Sequence, residues 1–391
     1  MAQRQCALEL QTVFTDSYCD KVVLITGHTG FKGGWLAIWL LQLGARVVGY
    51  SLDPPTTPSL FETCGLANHV QDLRGDIRDT AGVVRALRDV RPDFIFHLAA
   101  APLVLRSYED PIGTFDVNVM GTLSVLQAIR EARQACSVVV VSSDKCYRNC
   151  EWDYGYREND PFGGHDPYSA SKAAMEIAVA SYRDSFFPAS ATAQHGVHLA
   201  SARAGNVIGG GDWAVDRIVP DAVRALHAGE VLKVRSPDAI RPWQHVLEPL
   251  SGYLALGASL AGPRGDRFAG GWNFGPLASD VFTVADLVDT AIRAWGSGSW
   301  QTGINSAAPH EAGLLRLCID KAIAQLGWRP VWDFDEAVRR TVLWYSDYFQ
   351  QPKDEAEAFD SCVSDIAAYE AAASQKGIAW SLQTLGMTTM S

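Results

Sequence analysis

Short runs of apolar and β-branched residues recur along the first half of this chain and alternate with stretches of helical periodicity. The runs lie at residues 22–26, 46–50, 70–73, 94–98, 137–143 and 198–203, and the helical stretches at about 34–43, 80–89, 112–132 and 168–186. Strands that alternate with helices in this way predict one parallel sheet, with right-handed crossovers that place helices on both faces. The predicted fold class is therefore α/β, a doubly wound parallel sheet.

The pattern changes near residue 205, where loops rich in Gly, Pro and Trp begin. We expect the sheet domain to cover residues 21–204. A smaller C-terminal α/β lobe that binds the substrate is expected over residues 205–350, partly interleaved with the sheet. Residues 1–20 form an N-terminal extension, and residues 351–391 are predicted to be an acidic helical tail.

Composition and charge narrow the class of protein. The chain has 391 residues, of which 48% are hydrophobic, so it can bury a substantial core. A formal net charge of −11 argues against a nucleic-acid or anionic-membrane partner. No signal peptide is recognisable, and the apolar stretches are broken well short of the ~18 residues of a membrane span. The eight cysteines include no C-x-x-C pair, so we predict free thiols, no metal site and a cytoplasmic location.

Three glycines follow the first predicted strand, in the segment KVVLITGHTGFKGGWL. A strand, a glycine turn, a helix and a second strand in this order predict a Rossmann-type dinucleotide-binding domain. Gly27 would allow the tight turn, Gly30 would let a pyrophosphate approach the backbone, and Gly33 would permit close helix packing. A glycine-rich turn that binds no ligand is the alternative.

A tyrosine and a lysine, Tyr168 and Lys172, stand four residues apart at the start of the last predicted helix. On a helix both side chains project from one face. An ammonium beside a phenol favours the phenolate and lowers its pKa from the reference value of ~10. Tyr168 is therefore a candidate general base for an alcohol. The spacing alone is common on helix surfaces, and the glycine turn upstream is what raises its significance.

Together these motifs give the chain a family resemblance. It resembles the extended short-chain dehydrogenase/reductases, and within them the CDP-glucose 4,6-dehydratases. The matching segments span roughly residues 20 to 345 and include GHTGFKGGWL, SDKCYRNCEWDYGYREN, GGHDPYSASK and IRPWQHVLEPLSGY. The resemblance implies a hydro-lyase that acts on a nucleotide sugar, and a homodimer or homotetramer paired through the helix near 112–132 and the helix of Tyr168. An NDP-sugar 4-epimerase and a catalytically silent dinucleotide sensor are the alternatives.

The resemblance also implies how the candidate catalytic residues work. Tyr168 takes the proton of the sugar 4-hydroxyl while the C4 hydride moves to the nicotinamide, assisted by Lys172 and Ser143. Asp144 is the acid for the leaving C6 hydroxyl, and Lys145 is the base at C5. A lysine acts as a base only when it is neutral, which requires a buried site. Lys145 could instead pair with Asp144 or substrate, and Asp144 could simply cap a strand end.

Cofactor contacts carried over from the family form one set, namely Gly27, Thr29, Gly30, Phe31, Gly33, Ser51, Asp53, Asp76, Ile77, Ala99, Ala100, Asn118, Tyr168 and Lys172. An acid usually ends the second strand of NAD-binding relatives, whereas this chain has Ser51 there and Asp53 two residues later. NAD is favoured and NADP stays open, with Lys32 or Arg74 as possible partners of a 2′-phosphate. For Asn118 an internal hydrogen bond of the helix is an equal alternative.

Substrate contacts carried over in the same way are Asn206, Arg217, Arg241, His310 and Glu311. Arginine suits bidentate pairing with a diphosphate, although a loop arginine is more often solvated than bound. Ala101 stands where the family usually has glutamine, so the hexose preference is less certain than the nucleotide. An aromatic insert at Trp152, Tyr154 and Tyr156 is interpreted as a closing loop or as ordinary packing.

Overall fold

The computed structural model describes residues 12–303, 313–350 and 353–382. Within them the strands are β1 (Val22–Thr26), β2 (Arg46–Ser51), β3 (Gln71–Arg74), β4 (Phe94–His97), β5 (Cys136–Val141), β6 (Val197–Ala204), β7 (Val207–Ile208), β8 (Leu232–Val234), β9 (Ile240–Arg241), β10 (Gln244–His245), β11 (Gly271–Phe274), β12 (Phe282–Thr283) and β13 (Trp300–Thr302).

The α-helices within the same residues are α1 (Val13–Tyr18), α2 (Phe31–Gln42), α3 (Leu60–Thr63), α4 (Thr80–Val90), α5 (Val104–Glu109), α6 (Pro111–Phe115), α7 (Thr122–Ala132), α8 (Pro167–Phe186), α9 (Thr192–His195), α10 (Ile218–Ala228), α11 (Leu247–Ala261), α12 (Val284–Trp295), α13 (Phe334–Gln350) and α14 (Glu355–Gln375). A π-helical turn, Asp116–Gly121, joins α6 to α7.

Seven parallel strands form the central sheet, in the order β11-β6-β5-β4-β1-β2-β3. The six strands predicted from the apolar runs all belong to it, and the doubly wound fold class is confirmed. Strand order reverses between β1 and β4, which opens a crevice at the carboxyl ends of the strands. The seventh strand, β11, was not predicted because it is short and lies in the loop-rich region.

The predicted helical stretches correspond to α2, α4, the run from α6 to α7, and α8. Helix α2 is buried on nearly all sides from Gly33 to Leu40, because the sheet covers one side and α11 and α14 pack against the other. The proposed division at residue 204 stays a prediction. β11, which follows that boundary, pairs with β6 and so completes the sheet of the first part.

One helical run in the described part of the chain, Pro111–Ala132, is long and apolar enough to cross a membrane by length and composition alone. It includes α6 and α7. Helix α7 packs against α4 and α8, with Val125 and Leu126 fully buried. Packing within the fold therefore accounts for the apolar residues on that side.

The two ends of the described chain meet on the outside of α2. Trp380, after α14, stacks on Phe14 of α1 with ring centroids 4.6 Å apart and an angle of 2° between the rings. Tyr369 of α14 is fully buried and donates a hydrogen bond to Glu248 of α11 at 2.7 Å. Helix α14 is packed into the fold because its apolar side chains share one helix face.

Candidate active site

A large cavity opens at the carboxyl edge of the sheet, with a volume of about 1710 Å³. Pockets for one drug-sized ligand have about 300–1,000 Å³, so this one has room for a dinucleotide and a second ligand. Its lining contains most of the predicted site residues, namely Gly27, Thr29, Gly30, Phe31, Gly33, Ser51, Asp53, Asp76, Ile77, Ala99, Ala100, Ser143, Asp144, Lys145, Tyr168, Lys172, Asn206, Arg217 and Arg241.

The glycine turn has the geometry of a phosphate cradle. Gly27 has φ of +79°, and a Cβ there would lie 2.7 Å from the Ala99 nitrogen. A Cβ on Gly33 would lie 2.1 Å from the Gly27 oxygen, so only glycine lets α2 approach the turn. Gly30 precedes α2 and makes no side-chain cap, which leaves the first N–H groups of the helix for an anion. The residues present therefore fit the pyrophosphate of a dinucleotide.

Acidic groups surround the position where a 2′-phosphate would bind. The Ser51 hydroxyl is 2.8 Å from the Thr29 hydroxyl. Arg74 donates to Asp72 Oδ2 from Nε at 3.1 Å and from Nη2 at 2.7 Å, and its Nη1 lies 3.7 Å from Asp53. A 2′-phosphate would compete with two carboxylates for Arg74, which favours a dinucleotide with a free 2′-hydroxyl.

Asn118 lies behind the cavity wall. Its Oδ1 accepts from the Ala101 nitrogen at 2.8 Å, and its Nδ2 donates to the Ser171 hydroxyl at 2.8 Å. The bonds are not internal to its own helix, as one interpretation had it, and Asn118 does not line the cavity. It joins the segment after β4 to α8, the helix that carries Tyr168.

The turn after β5 presents Ser143 and Asp144 to the cavity. Ser143 Oγ accepts from the Lys145 nitrogen at 3.2 Å and donates to Asp144 Oδ1 at 3.0 Å. Asp144 Oδ2 is buried and has no hydrogen-bond partner among the described residues. Burial raises the pKa of Asp144, although the Lys145 charge and the Ser143 hydrogen bond oppose this. The carboxyl is therefore suited to hold a proton.

Asp144 Oδ2 is packed closely against Gly205. A Cβ on Gly205 would lie 2.4 Å from Pro242 and 3.0 Å from this oxygen. Only glycine therefore lets the chain after β6 pass this close to the carboxyl. Asn206, which follows, lines the same wall of the cavity.

Tyr168 and Lys172 project from the first turns of α8 into the same cavity and are both buried. Burial raises the pKa of Tyr168 to about 12, opposed by a hydrogen bond with Ser143 and by the charge of Arg217. The expectation of a lowered tyrosine pKa was wrong, because desolvation outweighs the nearby charges. Burial also lowers the pKa of Lys172 to about 8. The charged forms of Tyr168 and Lys172 are therefore stabilised less than the spacing of the two residues suggested.

Lys145 lines the cavity but is only half-buried, so the fully buried environment expected for it is not present. A second lysine, Lys32 of α2, lines the cavity as well and lies 3.5 Å from the Tyr253 hydroxyl. Burial lowers the pKa of Lys32 to about 7. Lys32 was expected either to meet a 2′-phosphate or to be solvated, and the structure buries it beside Tyr253.

Basic groups line the far side of the cavity. Arg217 pairs with Asp212 at 2.7 Å, and Arg241 donates to the Ile240 oxygen at 2.9 Å. Arg235, which the sequence analysis missed, lies on the same side. The cluster provides the local positive charge that an anionic substrate needs within an acidic protein. His310 and Glu311 lie outside the described residues.

The segment 146–164 forms one wall. Its residues Arg148, Asn149, Cys150 and Glu151 line the cavity, whereas the aromatic insert does not. Tyr156 stacks between Tyr147 and Trp152, with ring centroids at 5.4 and 5.5 Å. The packing interpretation of the insert is therefore the one that the structure supports, and no metal-ligand cluster occurs among the described residues.

Comparisons with known proteins agree with this geometry. The family model of GDP-mannose 4,6-dehydratase matches residues 24–258. CDP-glucose 4,6-dehydratase of Salmonella typhimurium is 48% identical over 332 residues, which cover 84% of this chain and 92% of that protein. A dTDP-glucose 4,6-dehydratase of Xanthomonas campestris is 28% identical over 82% of this chain and 92% of its own length.

Solved structures show the same fold. A Thermus thermophilus UDP-glucose 4-epimerase in complex with NAD has a TM-score of 0.71 and 26% identity, and covers 85% of this chain and all of its own. A Streptomyces venezuelae dTDP-glucose 4,6-dehydratase with NAD bound has a TM-score of 0.69 and 25% identity, and covers 83% of this chain and 97% of its own.

Proposed function

Because this chain belongs to the nucleotide-sugar 4,6-dehydratase family of extended short-chain dehydrogenase/reductases, we propose that it converts CDP-D-glucose to CDP-4-keto-6-deoxy-D-glucose with NAD. The most specific part of this proposal is that the substrate carries cytidine as its nucleoside and glucose as its sugar. It is supported by the 48% identity to the Salmonella CDP-glucose enzyme, which extends over most of both chains.

One observation carries the proposal. Asp144, a buried carboxyl whose pKa is raised, lies in the same cavity as Ser143, Tyr168 and Lys172. Oxidation at C4 requires only the last three groups. A buried carboxyl beside them can serve as the acid that elimination needs and a simple redox step does not.

The residues divide the reaction between them. When bound, NAD would supply the hydride acceptor for C4 and, later, the hydride for C6. Tyr168 takes the 4-hydroxyl proton, while the Ser143 hydroxyl and the Lys172 ammonium stabilise the oxygen. The resulting 4-ketone acidifies the C5 proton.

Elimination and reprotonation use the pair after β5. Lys145, which lines the cavity beside Asp144, takes the C5 proton, and Asp144 gives its proton to the C6 oxygen, which leaves as water. The Lys145 ammonium returns its proton to C5 as C6 receives the hydride. Asp144 regains a proton from solvent in place of the one that Tyr168 releases, so both proton and electron counts balance.

A 4-epimerase is the second candidate, because the Thermus epimerase shares the fold. An epimerase only rotates its 4-keto sugar within the site, and it does not deliver a proton at C6. A buried carboxyl, Asp144, in the same cavity as Tyr168 is better explained by a hydroxyl that has to leave.

We also propose that the protein is a cytoplasmic homodimer. Exposed apolar side chains occur on neighbouring helices, at Ile112 and Phe115 of α6, Met120 of the π-helical turn, and Ile177 and Phe186 of α8. Several exposed apolar side chains on neighbouring helices are typical of a protein interface. Two copies would bury it by pairing these helices.

The test is to incubate purified protein with CDP-glucose and NAD, with dTDP-, UDP- and GDP-sugars in parallel. Loss of one water from the CDP-sugar, seen by mass, together with the alkaline absorbance of a 4-keto-6-deoxy sugar, is the expected result. An isomer of unchanged mass would identify an epimerase. Turnover of a different nucleotide sugar would overturn the cytidine assignment, and no turnover would overturn the enzymatic proposal.

A further inference from the structure

A buried ion pair lies one helical turn beyond Lys172, where α8 packs on the sheet. Arg203 of β6 donates to both oxygens of Glu176, from Nε at 2.8 Å and from Nη2 at 3.0 Å, and Ser201 Oγ donates to the same carboxylate at 2.7 Å. Glu176 is 2% exposed and Arg203 is 3% exposed. Apolar side chains often stabilise such a position as well as a buried ion pair does. The charges therefore point to a role beyond stability.

The guanidinium also holds the segment 146–164. Arg203 Nη1 donates to Tyr147 Oη at 2.6 Å and to the Glu158 backbone oxygen at 3.0 Å. The Arg203 guanidinium carbon lies 5.2 Å from the ring centre of Tyr147 and 4.9 Å from that of Phe162. These contacts fall at both ends and in the middle of the segment. The ion pair thus connects the catalytic helix, the sheet and one wall of the cavity.

Glu176 stands one helical turn from Lys172 on α8, and its charge acts to raise the Lys172 pKa. Lys172 Nζ lies 3.6 Å from Met175 Sδ and forms no ion pair with a described residue. The titratable groups that interact with it are Glu176 on its own helix, Cys146 after β5, His97 of β4 and Lys32 of α2. Burial raises the pKa of Cys146 and lowers that of His97 to about 3, so both are neutral near pH 7. Only Glu176 among them carries a negative charge there.

We propose that Glu176 is a positioning residue for the dehydration: its carboxylate keeps Lys172 charged, and its ion pair with Arg203 fixes the segment 146–164 at the substrate. The inference deepens the proposed function, on which it rests for the roles of Lys172 and Tyr168.

The physical consequence concerns the alkaline side of the pH profile. Burial lowers the pKa of Lys172 to about 8, and the Glu176 charge opposes that shift. Without the charge, Lys172 loses its proton at a lower pH. Since a neutral amine no longer stabilises the Tyr168 phenolate, activity should decline earlier as the pH rises.

The experiment compares Glu176→Gln with Glu176→Asp, Arg203→Lys and the control Glu336→Gln, which removes an arginine-paired carboxylate on α13. We expect Glu176→Gln to move the alkaline limb of kcat/KM down by about one pH unit, and Glu176→Asp to restore it. Arg203→Lys keeps the charges but loses the planar fork. It should raise KM several-fold and leave the limb unchanged, and Glu336→Gln should change neither.

A second readout does not depend on turnover. The pKa of Lys172 can be followed by NMR in protein labelled with ¹³C at the lysine ε carbon, with the signal assigned by Lys172→Met. We expect a lower Lys172 pKa in Glu176→Gln than in the wild type. Equal values, or a loss of activity and stability with an unchanged pH profile, would overturn the inference.

Two further outcomes have defined meanings. Should Glu176→Gln fail to fold, the double variant Glu176→Gln/Arg203→Gln removes the unpaired charge. That variant should fold, and the alkaline limb of its kcat/KM profile should lie at the lowered pH expected for Glu176→Gln. If neither folds, Glu176 is structural and the inference is wrong. A wild-type protein that turns over no nucleotide sugar would defeat the proposed function, whereas the NMR titration would still decide the role of Glu176.

Discussion

At the scale of single residues, the surroundings of Asp144 decide what it can do. One carboxylate oxygen is bonded to Ser143, and the other is buried without a partner beside Gly205. Burial raises the pKa of this carboxyl, so its protonated form is favoured over that of an exposed aspartate. A carboxyl with a raised pKa in the same cavity as Tyr168 can protonate a leaving hydroxyl, which elimination requires and simple oxidation does not.

Replacement of this acid gives the first prediction. Asp144→Asn keeps the shape of the side chain but cannot deliver a proton, so kcat for water loss should fall by about 10²–10³-fold. Oxidation at C4 should continue, and the 4-keto-glucose nucleotide should accumulate in rapid-quench samples analysed by mass. Asp280→Asn, at a position that does not line the cavity, serves as the control. Nearly normal turnover in Asp144→Asn would show that another group is the acid.

The sequence predicted which residues meet in the cavity better than it predicted their ionisation. Nearly all of the described candidates line the cavity, because strand ends and helix starts of a doubly wound sheet converge by topology. The direction of the Tyr168 pKa shift was wrong, since a spacing of four residues contains no information about burial. Asn118 was assigned to the cofactor, whereas it is a support behind the wall.

At the scale of helices, the contact between α11 and α14 is held by a buried carboxyl. Glu248 accepts from the nitrogens of Val331 and Trp332 at 2.9 and 2.7 Å, and from Tyr369 Oη at 2.7 Å. Burial nevertheless raises its pKa to about 7. Three hydrogen bonds do not outweigh the loss of water around this group.

The second prediction follows from that raised pKa. A carboxyl with a folded pKa of about 7 and an unfolded value of ~4.3 binds more protons in the folded state. This carboxyl contributes its full stabilisation at pH values below its pKa in the unfolded state. The contribution is lost as the pH rises through about 7, and the free energy of unfolding falls by up to about 3 kcal/mol. The Tm of the wild type should therefore fall between pH 5 and 8 by about 3–4 °C relative to Glu248→Gln.

A carboxyl of opposite behaviour provides the control for that series. The bonds from Arg339 lower the pKa of Glu336, so its contribution is present at neutral pH and is lost as the pH falls. Glu336→Gln should accordingly lose stability at neutral pH rather than gain it. Parallel Tm curves for the wild type and Glu248→Gln would contradict the assignment.

The sequence missed one strand of the sheet and did not reveal what the tail packs against. Strand β11 has only four residues, and its identity depends on hydrogen bonds to β6 that no local pattern reveals. Helix α14 was predicted, but its partners lie far away in sequence, so no local pattern shows what its buried Cys362, Ile366 and Tyr369 contact. The long regular elements α2, α8 and β5 were predicted correctly because their own residues determine them.

At the scale of the whole molecule, the two ends of the described chain stabilise each other. Trp380 stacks on Phe14 and also contacts Trp39 edge to face with ring centroids 6.1 Å apart. We predict that Trp380→Ala costs about 3–5 kcal/mol of unfolding free energy, because it leaves a cavity among buried rings. Denaturant unfolding measures this. The exposed Tyr154→Ala is the control, and equal stabilities would show that the two ends do not act together.

The proposed dimer gives the last prediction. Ile112 and Ile177 are 82% and 59% exposed, on α6 and α8. Ile177→Asp should place a charge within the paired helices and yield monomers, as measured by sedimentation equilibrium. Val231→Asp, at an exposed apolar position before β8, should leave the oligomeric state unchanged. A wild-type monomer would exclude this interface.

The contact of α14 with α2 has a consequence for how the chain is made. Helix α2 follows the first strand of the sheet, and part of its apolar surface is covered by a helix whose residues are more than three hundred positions later. During synthesis on the ribosome, that surface stays uncovered until almost the whole chain has emerged. The nucleotide-binding half is therefore finished last, and a nascent chain released before α14 would leave Trp39 without its covering helix and would be a natural client for chaperones.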